Sequence, residues 1–104
     1  MELQRAAHQA VVTHVLEGEG SAPRAQRRAA FDNAVIGEPL HGLISAVAEQ
    51  PTRITDDDFA AVKSSGLSED QVFELVVCAA VGQATRQYQS ALEALSAAVN
   101  EEGR

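Results

Sequence analysis

The chain has one cysteine, no tryptophan, three prolines and only 4% aromatic residues. A lone cysteine, Cys78, excludes an internal disulfide and every Cys-x-x-Cys arrangement, whether redox-active or zinc-binding. Positive charge is scarce too. Eight lysines and arginines stand against fifteen aspartates and glutamates, a net charge of −7, so non-specific binding to nucleic acid is not expected. No apolar run approaches the ~20 residues that span a bilayer, and no membrane partner is expected. The opening "MELQRAAHQAVV" lacks a basic stretch followed by an apolar core, so no secretory signal is expected and the cytoplasm is the default compartment. No cofactor is implied.

What the chain does have is alanine and helical periodicity. Its 104 residues suit one domain with one modest core. Alanine is prominent in the 45% hydrophobic content and favours close-packed helices. Leu3, Ala7, Val11 and Val15 fall on one stripe, which predicts an amphipathic helix over 2–17. "GEGSAP" breaks it, and a second helix is expected over 23–35, with Arg24, Arg27 and Arg28 clustered on one face. That basic cluster suits an anion or an acidic partner, or the acidic surface of a neighbouring helix. A third helix runs from Pro39 to about Glu49, on Leu40, Leu43, Ile44 and Val47, and Pro51 ends it.

The next two helix starts are the clearest signals. In "TDDD", Thr55 is an N-cap with Asp58 three residues on, and the aspartates suit the positive end of the helix. Gly66 stops that short helix. Ser68 then caps the next one, with Gln71 completing a capping box. From there to Val99 no proline intervenes, and Gly82 is the only weak point. No segment alternates as a strand would. The expectation is an all-α domain of five to six helices with one long C-terminal helix. That helix, at ~1.5 Å per residue, makes a rod of roughly 45 Å. Its first half, "VFELVVCAAV", is apolar nearly all round, so a second copy of the chain is expected to cover it.

The stretch "RITDDDFAAVKSSGLSEDQVFELVVCAAVGQATRQYQSALEAL" carries a resemblance. A short helix, a "GLS-acid-acid" turn and a long alanine-rich helix opening "ELV" resemble the carboxymuconolactone decarboxylase and alkylhydroperoxidase D (AhpD-like) family. The resemblance covers about 52–96, with a weaker echo over "AAFDNAVIGEPLHGLISAVAEQP". It implies a single AhpD-like helical domain over 1–104. In the peroxidase branch a glutamate precedes a Cys-x-x-Cys pair and a histidine. With Glu74 as that glutamate, the two cysteine positions fall on Arg86 and Gln89, and the histidine position on Glu93. Tyr88 matches a tyrosine often found between the cysteines. Thiol–disulfide cycling needs two sulfurs within bonding reach, so a thiol peroxidase is excluded. The decarboxylase branch also lacks the cysteines. There the resemblance implies a glutamate at Glu74, an arginine near Arg86 and a histidine at the position where this chain has Glu93. An enzyme of that sort would anchor a substrate carboxylate on Arg86, with Glu74 or Glu93 as base, and its proton donor would lie elsewhere, His41 being the nearest candidate.

Each candidate has a structural alternative. Glu74 is the only charge between Asp70 and Arg86; it is either a carboxylate poised in a pocket or half of an ion pair. Glu74 and Arg86 are too far apart along one straight helix to touch. Arg86, Gln89 and Glu93 share a face, as a pocket for a small anion, a solvated stripe or a polar seam between subunits. His8 and His14 lie about 120° apart around their helix and form no metal site, while His14 with Glu17 is half of one at most. Cys78 reads as a small core residue. Two functions are open: a non-catalytic oligomeric scaffold or binding partner of a larger enzyme, or a cofactor-independent decarboxylase or isomerase acting on a small carboxylate.

Overall fold

The computed structural model describes residues 2–102, with side chains described through Asn100. Its elements, in chain order, are five α-helices and one short 3₁₀ turn: α1 (Glu2–Glu17), α2 (Arg24–Phe31), α3 (Leu40–Glu49), the turn (Pro51–Arg53), α4 (Asp56–Ser64) and α5 (Glu69–Glu102). No strand occurs among the described residues. α5 has 34 residues, about 51 Å at ~1.5 Å per residue. It stretches the molecule to 58 × 29 × 20 Å, with a radius of gyration of 16.2 Å against about 13 Å for a globule of this length.

α5 is the spine, and the other helices lie along its first half. The core gathers Leu16 from α1, Ala30 and Phe31 from α2, Leu40, Leu43 and Ile44 from α3, and Val62 from α4. These pack on Val72, Leu75, Cys78 and Ala79 of α5. One chain thus buries the inner face of "VFELVVCAAV", while its outer face stays partly open. The apolar surface left open there is chiefly Phe73, at 69% exposure.

Helix ends obey local chemistry. Thr55 and Asp58 form the expected capping box, each side chain accepting from the other's backbone N–H at 3.3 and 2.8 Å. Ser68 and Gln71 do the same at 3.1 and 2.9 Å. Gly66, at φ +114°, ends α4 in the left-handed region where a side chain would be strained.

Two expectations are corrected. α2 stops at Phe31, four residues short of the expected Val35. Asn33 takes a left-handed conformation (φ 52°), and the Asn33 and Ala34 N–H groups turn back to the Ala30 and Ala29 carbonyls, a Schellman closure. The stripe on α1 is also rotated. Leu3, Ala7 and Val11 face solvent, and the helix turns His8, Val12, Val15 and Leu16 towards the protein. Polar His8 belongs to the inner face because α5 offers it a partner, and hydrophobicity alone does not show this.

Candidate functional site

The polar side chains on the inner face of α5 are engaged one after another by α1, α2 and the loop between them. Gln71 Nε2 donates to the Ser21 carbonyl at 3.2 Å. Glu74 accepts from the Ser21 and Ala22 N–H groups at 2.8 and 2.6 Å. The Cys78 thiol donates to the Val15 carbonyl at 3.3 Å. Thr85 donates to the Val81 carbonyl at 2.7 Å, which leaves its oxygen free to accept from His8 Nε2 at 2.9 Å. Arg86 Nη1 donates to the Phe31 carbonyl at 2.6 Å, and its Nη2 to Gln83 Oε1 at 2.9 Å.

Glu74 and Arg86 therefore have matching tasks at opposite ends of α2. The carboxylate holds the turn that enters α2, near the helix's positive end. The guanidinium satisfies a carbonyl at its negative end, where carbonyls have no partner within the helix. Between these clamps α2 lies so close that a methyl group on Gly82 would overlap the Phe31 carbonyl. The glycine that looked like a weak point in the helix is what admits α2, and α5 runs through it unbroken.

The remaining sequence candidates scatter. Glu74 and Arg86 stand about 18 Å apart along α5, so no substrate of small size reaches both. Gln89 is exposed and lines a shallow groove of about 420 Å³ with Arg5, His8, Tyr88 and Leu92, and Glu93 lies exposed outside that lining. The His8 and Tyr88 rings meet there, 5.4 Å between centroids. His41 sits on α3, half-buried, with no hydrogen-bond partner for its Nδ1. Cys78 is 1% exposed. Burial pushes its thiol above the ordinary cysteine value, opposed by the Arg27 charge and reinforced by that of Glu74, which makes it a poor nucleophile.

The arginine cluster divides as well. Arg24 and Arg27 donate to the Glu17 and Gly18 carbonyls at 3.2 and 2.7 Å, closing the C-terminal end of α1. Arg28 pairs with Asp32 at 3.1 Å and lies over the Phe31 ring. The neutralising role expected for the cluster thus goes to backbone carbonyls, apart from Arg28. Arg27 is the residue that sequence reasoning undervalued. It is 6% exposed, and its Nε has no partner. It lines a cavity of about 330 Å³ with His14, Glu19, Asp70, Phe73 and Glu74. A charge at helical spacing inside an alanine-rich run was the one available signal.

Comparison of the chain with protein-family models, curated proteins and solved structures finds no match in any of the three.

Proposed function

We propose that the chain is a non-catalytic module of AhpD-like type, an oligomeric scaffold or the binding partner of a larger enzyme, without thiol peroxidase chemistry. The observation that carries this reading is the engagement of Glu74 and Arg86 with the chain's own backbone at the two ends of α2. Residues at the positions where relatives would place reactive groups here hold the fold together. An enzyme anchoring a carboxylate on Arg86 would first have to release Phe31.

Assembly finds support at the far end of α5. Past Arg86 the first turns of α1 run beside it as far as Leu92, and beyond them Leu95 and Val99 remain 54% and 58% exposed. Between Arg86 and Glu101 this helix carries a single charge, Glu93, so an acidic partner meets little repulsion there.

Native mass spectrometry of the protein purified from its own host tests the reading. An integral multiple of the chain mass, or a second polypeptide bound, is expected, and Leu95→Glu together with Val99→Glu should return the chain to a monomer. A bare monomer at micromolar concentration, or hydroperoxide turnover that persists in Cys78→Ser, would sink it.

A further inference from the structure

The stripe of α1 that reads as core in the sequence is exposed in the fold, Leu3 at 81% and Val11 at 49%, with Ala7 between them. α1 runs antiparallel to α5, since His8 meets Thr85 while Val15 meets Cys78. On one side of this pair His14 and Val15 share a groove with Phe73 and Val77. Steps of four residues from Val15 reach Val11, Ala7 and Leu3, so the exposed stripe continues along that same side of α1.

α5 presents a second stripe there. From Phe73 it passes Val77, Ala80, Ala84, Gln87 and Ala91 at alternating steps of four and three, and Leu95 and Val99 extend it. All but half-buried Val77 are exposed. A spacing that averages 3.5 residues is the one that keeps a seam turned towards another helix. No charge interrupts it. Between Asp70 and Glu101 the charged residues are Glu74, Arg86 and Glu93. The first two turn to α2, and Glu93, seven residues past Arg86, lies on the side of Arg86. A chain of net charge −7 meets its own copy with least repulsion over such a face.

The two stripes are centred at one level. Position 86 lies midway between Phe73 and Val99, and Ala7 midway between Leu3 and Val11. The His8–Thr85 bond between antiparallel helices sets Ala7 level with position 86. A two-fold axis crossing both helices at that level therefore carries each stripe onto itself, reversed. Phe73 of one copy then meets Val99 of the other, Val77 meets Leu95, and Leu3 meets Val11, with alanines near the centre allowing close approach. A strip ~10 Å wide along ~40 Å of α5 and ~24 Å of α1 covers about 600 Å² on each copy, about 1,300 Å² for the pair, within the range of stable interfaces.

We infer that a second copy of this chain covers the outer α1/α5 face as an antiparallel two-fold dimer. This rests on the oligomeric half of the proposed function, to which it adds the partner and the geometry.

The test is sedimentation equilibrium of the full chain, joined to cysteine cross-linking. A dimer with a Kd on the order of 10 µM or tighter is expected. Ala84→Glu, exposed and close to the axis, should weaken it at least tenfold with helix content by circular dichroism unchanged. Ala97→Glu, about a third of a turn round α5 from the face, should leave it intact. Ala7→Cys lies beside its own copy and should cross-link on mild oxidation to twice the chain mass. Phe73→Cys should not, because its copy stands ~39 Å away along α5. Cys78, 1% exposed, takes no part. A monomer would overturn this inference and leave the binding-partner half of the proposed function standing. A dimer that ignores Ala84→Glu, fails to cross-link through Ala7→Cys or cross-links through Phe73→Cys would overturn this inference alone.

Discussion

Up to Arg86, α5 has α1 to α4 packed along it, and its inner face is closed: Val72, Leu75, Cys78 and Ala79 are at most 3% exposed. Beyond Arg86 only α1 accompanies it, and from Glu93 onwards every residue whose side chain is described is exposed. Both halves are helical and free of proline, and the first, with four valines and Gly82, has the weaker helix propensity, so propensity does not account for the contrast. What separates them is the company of larger apolar side chains and of polar groups with work to do. The first half has Leu, Val, Cys and a glycine placed for close approach. The second has Gln, Ser and Ala, which form a helix well but give the chain's own helices little to bury, and its Leu95 and Val99 stay exposed.

Three measurements would break or sharpen this contrast. The largest effect is expected from matched truncations. Leu75→Ala, at a fully buried position, should cost about 3 kcal/mol in urea unfolding, whereas Leu92→Ala, half-buried against α1, should cost about 1 kcal/mol. Equal losses would erase the distinction between the halves.

Next come the two clamps on α2. Removing Glu74 or Arg86 by alanine leaves backbone groups of the α2 ends unpaired, and each change should lower stability by about 1–2 kcal/mol, discounted because both side chains are partly exposed. The double variant should lose less than the sum if α2 detaches as a unit. If both single variants melted like the parent, the clamp account would be wrong.

The smallest effect is that of pH on Cys78. Its folded value is raised by burial, so the thiol ionises first in the unfolded chain. The stabilisation is complete below the unfolded value of about 8.5 and is lost as pH rises through the folded one. Wild type should therefore lose stability relative to Cys78→Ala between pH 8 and 10, and the native thiol should resist thiol reagents at pH 8. Rapid labelling of the native protein would contradict the burial on which both expectations rest.

Much of the architecture is legible in the amino-acid order alone. The Thr55–Asp58 and Ser68–Gln71 boxes, Gly66 and Pro51 mark helix ends because capping is local chemistry within a few residues of chain. Periodicity marks α3 and α5 for the same reason. The Asn33 closure had a signal, since asparagine stands beside glycine as a left-handed residue at helix ends, but the apolar Ala34, Val35 and Ile36 that follow it extend the apparent helix. The inner face of α1 is hidden because half-buried His8 faces a partner, Thr85, that lies 77 residues away.

The sequence by itself determined that the chain is helical, where most of its helices begin and end, and that no pair of sulfurs exists for peroxide chemistry. Those properties depend on neighbours along the chain or on simple composition. Only the tertiary structure decided that Glu74 and Arg86 serve the two ends of one short helix, that Gly82 is a point of contact, and that buried Arg27 caps the end of α1. Each of these depends on which backbone group from a distant segment arrives beside a side chain, and packing alone sets that.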